Sequence, residues 1–152
     1  AQPEQTRWTD PAFEHHRELP QVEIGPSAAT VITGEFCGAA SPARQDWEAV
    51  GIEGLIRSGR TVWPLDPTFE YGLITVEGTV RIGSNLITVG QFAYLAPGRS
   101  ELPIDAQDAA TVLLICGKPF ASHRLIWWNL LARTQREFDD PYLGSLDHHV
   151  GP

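Results

Sequence analysis

The sequence is poor in basic residues, in lysine above all, and in long apolar runs. Among its 152 residues, 11 Lys and Arg stand against 19 Asp and Glu, which gives a formal net charge of −8, and Lys118 is the only lysine. A nucleic-acid surface needs a stripe of Lys and Arg along the phosphates, so we expect no direct binding of nucleic acid. The longest apolar run, residues 109–116 with Thr111 inside it, is far shorter than the ~20 residues of a membrane-spanning helix. We therefore expect no membrane association.

Cysteine is scarce as well, and methionine is missing altogether. Cys37 and Cys116 lie far apart and form no CxxC pair, so we interpret them as small buried thiols, with a disulfide between them as the alternative. Cys37 has no neighbouring His or Lys to activate it, so a nucleophilic role is not expected. The N-terminus is polar and shows no secretion signal. Together these features predict a cytoplasmic protein.

Composition divides the chain into three parts. Residues 1–28 are rich in Pro, Glu and Gln and lack periodicity, which predicts an extended N-terminal arm or inter-domain linker. Residues 29–128 carry short strand-like runs, and residues 129–152 hold one helix signal and a tail without pattern. The chain begins AQPEQTR without an initiator Met. Removal of an initiator before Ala1 would explain this start, and so would excision from a longer protein, which the motifs below favour.

The middle part predicts an all-β barrel or sandwich, because its strand-like runs are separated by frequent turn signals. Gly83 and Ser84 suit a tight hairpin, since Gly readily takes the positive φ of such turns. Residues 111–116, TVLLIC, form a continuous apolar run that is typical of a strand buried on both faces. The only good helix signal is a capping box from Thr134 to Glu137. The other strand-like runs are residues 29–36, 49–56, 61–63, 73–76, 79–82, 85–89 and 91–97.

Two stretches of the middle part resemble the cupin superfamily. ITVEGTVRIG at residues 74–83 is similar to the end of the first conserved cupin motif, and VGQFAYLAPG at residues 89–98 is similar to the second. The resemblance implies an antiparallel β-barrel of the double-stranded β-helix, or jelly-roll, type. It also implies one divalent metal inside the barrel, held by two histidines and a glutamate from the first motif and a third histidine from the second.

The sequence departs from that cupin pattern at the ligand positions. The two first-motif histidine positions fall on Pro64 and Asp66, the glutamate position on Tyr71 and the last histidine position on Glu101. A one-residue shift brings Glu70 to the glutamate position but supplies no histidine, and Asp66, Glu70 and Glu101 would form an all-oxygen set unlike the family site. We therefore expect no metal and no catalytic residue in this chain. Asp66, Tyr71 and Glu101 remain candidates for the lining of a ligand pocket at the barrel mouth.

Three further segments narrow the resemblance to pirin-like proteins. DPAFEHHRELPQVE, GEFCGAASPAR and WWNLLARTQREF, at residues 10–23, 34–44 and 127–138, match that family in order and spacing. The resemblance implies two cupin domains in tandem, with iron (Fe2+) held by three histidines and a glutamate in the first domain. The second domain has usually lost its metal. This chain would then be the C-terminal cupin domain, with no cofactor of its own and a structural or interaction role beside the first domain.

Three classes of function stay open from the sequence, and the third of them is a binding module whose exposed face recognises another protein. In the first, the whole pirin-like protein has quercetin 2,3-dioxygenase activity or acts as an iron-dependent regulator, and this chain is its non-catalytic half. In the second, the chain is a free-standing enzyme or binding protein that holds a small molecule or a metal in its own barrel cavity.

The remaining candidate residues concern partners. His15 and His16 are adjacent, so on an extended chain they point to opposite sides and suit a domain junction better than a metal site. Strand alternation would turn one of Trp127 and Trp128 inward and the other outward. The outward indole could contact a preceding cupin domain, another protein or a second copy of this chain. We interpret His123 as a strand-end residue rather than a general base.

Overall fold

The computed structural model describes residues 13–121, 124–128 and 130–139. These residues belong to two compact units, one that runs up to Pro119 and one that begins at Phe120. The first unit contains β1 (Gln21–Ile24), β2 (Ser27–Thr33), β3 (Glu35–Phe36), β4 (Ala39–Ala40), β5 (Ala49–Ile56), β6 (Gly59–Pro64), β7 (Glu70–Glu77), β8 (Thr79–Ile82), β9 (Asn85–Thr88), β10 (Phe92–Leu95), β11 (Glu101–Ala106) and β12 (Ala110–Gly117).

Two antiparallel sheets form the body of the first unit. The larger sheet has six strands in the order β1-β2-β5-β12-β7-β10, and the smaller has four in the order β6-β11-β8-β9. β3 and β4 pair separately as a short hairpin. The predicted turn at Gly83 joins β8 to β9, with Gly83 at φ +58° and Ile82 opposite Asn85. The all-β prediction is confirmed for this unit.

The core lies between the two sheets and is filled by alternate residues of their strands. Trp63 of β6 is fully buried, and its ring stands against Phe36 at a centroid distance of 5.7 Å. Gly54 of β5 makes room for that indole, because a Cβ atom on Gly54 would lie 2.2 Å from Cη2 of Trp63. The other large side chains that are fully buried are Ile52, Ile56, Leu73, Leu102, Ile104 and Leu114.

Strand β12 corrects the prediction that residues 111–116 are buried on both faces. Val112 and Leu114 are fully buried, but Ile115 is 50% exposed and Leu113 is only partly covered. Although β12 lies inside the larger sheet, only one face of that sheet packs against the smaller sheet. The apolar run therefore reflects two apolar faces, of which one is open to solvent.

The arm contains a strand that the sequence did not reveal. Residues 21–24, inside the segment predicted as an extended arm, form β1 and pair with β2 at the edge of the larger sheet. The burial pattern of β1 alternates between exposed and half-buried residues. The boundary of the sheet therefore lies before residue 28.

The second unit contains the hairpin of β13 (Leu125–Trp127) and β14 (Leu130–Ala132), followed by helix α1 (Gln135–Asp139). The predicted short helix is present. Its Glu137 carboxylate accepts a hydrogen bond from the Arg133 N–H at 2.9 Å, so the reach-back contact of the predicted capping box is made to the residue before Thr134. None of the helices in the described part of the chain has the length and hydrophobicity needed to span a bilayer.

Candidate functional site

The first unit has a cavity of about 280 Å³ at one end of the sheet pair. Its walls come from the segment around β3, the start of β5, the end of β12 and the connection from β6 to β7. Apolar and aromatic side chains make up most of the lining, namely Phe36, Val50, Ile52, Phe69, Tyr71 and Leu114. The carboxylates among the lining residues are Glu35, Glu48 and Asp66.

Asp66 and Tyr71 line this cavity and hold each other in place. Oδ1 of Asp66 accepts hydrogen bonds from the backbone N–H of Thr68 at 2.8 Å and from its hydroxyl at 2.7 Å. These two bonds hold the pKa of Asp66 below its ordinary value. The Tyr71 hydroxyl accepts from the N–H of Asp66 at 2.7 Å and donates to its carbonyl oxygen at 3.0 Å. The hydrogen bonds of both side chains therefore stabilise the connection between β6 and β7.

Tyr71 is a neutral hydroxyl at physiological pH. Its side chain is buried, and burial raises the pKa of Tyr71 to about 12. Since the hydroxyl already donates one hydrogen bond and accepts another, its role here is to stabilise the turn.

Glu101 and Pro64 lie opposite each other in the β6–β11 ladder. Pro64 lines the cavity and offers no side-chain donor atom. Leu102 is buried, so alternation along β11 turns the neighbouring Glu101 toward the outer surface, and Glu101 is exposed and outside the lining. Of the three predicted pocket residues, the structure brings Asp66 and Tyr71 together and leaves Glu101 apart.

The residues at the cupin ligand positions do not fit a metal. Pro64 has no ligand atom, Asp66 is bonded to Thr68, and Tyr71 keeps its proton. Glu70, the alternative ligand, accepts a hydrogen bond from the Tyr94 hydroxyl at 3.0 Å on the outer side of the larger sheet. Within residues 13–121 and the described parts beyond them, His, Cys, Asp and Glu nowhere form a group of three or more suited to a metal ion. We derive no metal chemistry from this chain.

The sequence did not point to Glu35, Glu48 or Cys116 as cavity residues. The Cys116 thiol donates to the carbonyl oxygen of Val50 at 3.3 Å, and burial raises its pKa to about 11, so it is a neutral wall group. Cys37 is exposed with φ +50°, which contradicts its interpretation as a buried thiol. Both cysteines are free thiols, so the alternative of a disulfide is wrong.

The outer side of the larger sheet carries an exposed apolar surface, which we call the apolar sheet face. Phe92 and Tyr94 on the edge strand β10 are 56% and 59% exposed, and the Phe92 ring lies over Gly72, where a Cβ atom would be 2.4 Å from Cε2 of Phe92. Ile115 follows on β12, across from Gly72. The exposed large apolar residues of this face are Leu55, Val76, Phe92, Tyr94 and Ile115.

The outer side of the smaller sheet is different, and we call it the polar sheet face. Asp105 of β11 lies opposite Arg60 of β6 and Arg81 of β8. The guanidinium of Arg60 is 3.7 Å from the Asp105 carboxylate, and both side chains are exposed. Val62 and Leu86 are the exposed large apolar residues of this face.

None of the predicted interface residues belongs to the strands that form these two faces. His15 is exposed, and Nε2 of His16 is 3.2 Å from the Glu14 carboxylate. Trp128 is 87% exposed with φ +53° and lies in the turn between β13 and β14, so strand alternation does not set its direction. The backbone of Trp127 belongs to β13, but its side chain, like His123, lies outside the described residues.

Comparison with known proteins gives one family match and several relatives. The model of the pirin C-terminal cupin domain matches residues 55–143. A Pseudomonas aeruginosa protein with the provisional name quercetin 2,3-dioxygenase is 33% identical, with all of this chain and 51% of that protein covered. The crystal structure of a quercetin 2,3-dioxygenase from Acinetobacter baumannii has a TM-score of 0.86 at 31% identity, covering 100% of this chain and 54% of that one.

A Geobacillus kaustophilus protein has a TM-score of 0.71 at 19% identity, covering 80% of this chain and 53% of that one, and shares the fold. The predicted cupin-type barrel is confirmed by these matches. The chain spans about half the length of the curated relative and of the Acinetobacter structure.

Proposed function

The chain belongs to the pirin family as its C-terminal cupin domain, and we propose that it is the metal-free, non-catalytic half of a two-domain protein whose first domain holds iron. The turn from Asp66 to Tyr71 carries this proposal. At two of the positions where a cupin places metal ligands, this chain has Asp66 and Tyr71, whose side chains bond to the backbone of the same turn and stabilise the barrel mouth.

The lengths of the relatives support a preceding domain. This chain covers 51% and 54% of the two relatives described above, and the matching family model is that of a C-terminal domain. We therefore place a first cupin domain before residue 1. Quercetin 2,3-dioxygenase activity, the activity in the names of those relatives, or iron-dependent regulation would reside in that domain, in a cytoplasmic protein.

The apolar sheet face supplies the surface for an interaction role. An antiparallel sheet that meets water on one side normally alternates apolar and polar residues, and a contiguous exposed apolar patch marks an interaction site. Here Phe92, Tyr94 and Ile115 are all about half exposed. We assign this face to the preceding cupin domain, because half the length of the relatives is unaccounted for by this chain.

Hydroxyl-radical footprinting of the full-length gene product and of the 152-residue chain tests this assignment. We expect Phe92 and Tyr94 to be oxidised in the 152-residue chain and protected in the full-length protein. Leu86 on the polar sheet face is the internal control, with equal oxidation in both. Equal oxidation of Phe92 in both proteins would contradict the docking role, and a gene product that starts at Ala1 would overturn the two-domain proposal.

Metal analysis tests the other half of the proposal. After chelator treatment and reloading with Fe2+ or Mn2+, we expect the full-length protein to bind about one metal ion and the 152-residue chain to bind none in stoichiometric amount. One tightly bound ion per 152-residue chain would overturn the metal-free assignment.

The cavity favours a second function, the binding of a small molecule by this domain. An apolar cavity with a few polar groups at its edge is the usual form of a ligand site, and the present one has about 280 Å³ behind the mouth carboxylates. Chemical-shift changes of cavity residues on addition of small amphipathic compounds would test it. The absence of such changes for cationic, neutral and anionic compounds alike would remove this function.

A further inference from the structure

The geometry points to a ligand class for the cavity: a small organic cation, with one ammonium group on a single ring or a short apolar chain. This inference rests on the second function proposed above. It is carried by the combination of an acidic rim with an apolar, aromatic interior in one cavity of the first unit.

The rim supplies negative charge with little compensation. Glu35, Glu48 and Asp66 line the cavity and are exposed to solvent, which places them at its rim, and the lining residues that the structure describes include no Lys, Arg or His. Lys118 lies just outside, with Nζ 3.5 Å from Oε1 of Glu48, so it offsets one of the three carboxylates. Asp66 stays ionised because its bonds from Thr68 lower its pKa. A cation at the mouth therefore meets net attraction, and an anion meets repulsion.

The interior supplies apolar contact without a second charge. Phe36, Phe69 and Tyr71 contribute aromatic rings to the lining, and Ile52 and Leu114 contribute aliphatic side chains. Tyr71 and Cys116 remain protonated at neutral pH, because burial raises their pKa values to about 12 and about 11. These side chains would contact the apolar ring of a ligand, whereas an anionic group in this interior would be desolvated without a partner.

The size of the cavity limits the ligand. Its volume of about 280 Å³ lies just below the roughly 300–1,000 Å³ that is typical of small-molecule pockets. One six-membered ring with a two-carbon chain is the scale that suits it. The ammonium group would lie at the rim and the ring would enter the interior.

Calorimetric titration of the 152-residue chain with three compounds of one shape tests the inference: 2-phenylethylamine, 2-phenylethanol and 3-phenylpropanoate. We expect the amine to bind about tenfold more tightly than the alcohol, a difference of about 1.4 kcal/mol, and the carboxylate not to bind. Equal binding of amine and alcohol would overturn the cation class while the cavity function stands. No binding by any of the three would remove the cavity function itself.

Charge-matched variants separate the rim from the general negative charge of the protein. The Glu35→Gln, Glu48→Gln double variant should weaken amine binding about fivefold, because exposed ion pairs contribute up to about 1 kcal/mol each. The control is Glu53→Gln, Glu77→Gln, which removes the same charge from exposed positions of β5 and β7 outside the cavity lining. An equal loss in the control would assign the attraction to the net charge of −8 and overturn the rim site.

Discussion

The two faces of the six-stranded sheet both carry large apolar side chains, yet only one of them is closed. On the inner face, Ile52, Leu73 and Leu114 are fully buried against the smaller sheet. On the outer face, Phe92, Tyr94 and Ile115 remain about half exposed. The smaller sheet shows what a solvent-facing surface of this barrel looks like, with Asp105 between Arg60 and Arg81. The comparison supports the proposed docking role of the open face of the larger sheet.

Two glycines sharpen this comparison, since each lies beneath an aromatic ring. Gly54 meets the fully buried Trp63, and Gly72 meets the exposed Phe92. Gly54→Ala should lower the free energy of unfolding by about 2–3 kcal/mol, because the indole has no space to move into. Gly72→Ala should change it by less than about 0.5 kcal/mol, because the Phe92 ring can swing outward and strand glycine is itself unfavourable. Urea denaturation measures both, and a large loss at Gly72 would show that the outer ring is held as rigidly as the core.

Substitutions on the apolar sheet face test whether it associates with another protein surface. In the 152-residue chain this face is free to meet a second copy, so we expect self-association at high concentration. The Phe92→Ser, Ile115→Ser double variant should raise the dissociation constant of self-association about tenfold, which corresponds to about 1.4 kcal/mol. Full burial of two such side chains contributes more than this, so the loss of part of their contact is enough.

Sedimentation velocity at several concentrations gives the measurement, and the Val62→Ser, Leu86→Ser double variant on the polar sheet face is the matched control. Chains that sediment as monomers throughout the concentration series would contradict a face that associates with itself. Equal effects of the two sets of variants would show that the polar sheet face is as adhesive as the apolar one.

Much of the fold is predictable from the sequence, and the reason for the exceptions is tertiary. Gly83 between two alternating runs predicts the β8–β9 hairpin from local chemistry alone, and the structure has it. The prediction that Ile115 is buried is wrong, because a continuous apolar run has the same sequence pattern whether its second face is buried or exposed to solvent. Glu35 and Glu48 escaped notice because they belong to the segment between β2 and β5, whose contact with the cavity is set only by the tertiary structure.

The candidate site was predictable only in part for the same reason. Asp66 and Tyr71 follow from their places in the first cupin motif, and they do line the cavity. Glu101 holds the equivalent place in the second motif, but alternation along β11 turns it outward. A motif position identifies the strand, whereas the direction of the Glu101 side chain follows from its alternation with the buried Leu102.

Two tyrosines on opposite faces of the larger sheet should affect stability differently at alkaline pH. Burial raises the pKa of Tyr71 to about 12, and the hydrogen bond to Glu70 raises the pKa of the exposed Tyr94. Cys116, raised to about 11 by burial, acts in the same direction as Tyr71. From about pH 8 to 12 the unfolded chain releases these protons before the folded chain does, so the free energy of unfolding should fall as the pH rises, with no contribution below about pH 8.

Urea denaturation between pH 8 and 11 measures this slope. Tyr71→Phe should cost about 1 kcal/mol at pH 7, because its hydroxyl bonds both the N–H and the carbonyl oxygen of Asp66, and it should flatten the alkaline slope. Tyr94→Phe should flatten it less, because its exposed hydroxyl is well solvated. If Tyr94→Phe reduced the alkaline slope more than Tyr71→Phe does, the more tightly held hydroxyl would be the one on the outer face, and the comparison would be reversed.

The polar sheet face gives the smallest expected effect and the strictest test of the contrast. Arg60 and Asp105 are 3.7 Å apart and both exposed, so a double-mutant cycle with Arg60→Ala and Asp105→Ala should give a coupling below about 0.5 kcal/mol. Added salt should reduce the coupling further, because exposed charges are screened. A coupling above about 1 kcal/mol that persists in salt is the mark of a desolvated pair. Such a result would mean that this face, too, is covered in solution, and that the difference between the two outer faces is one of chemistry and not of exposure.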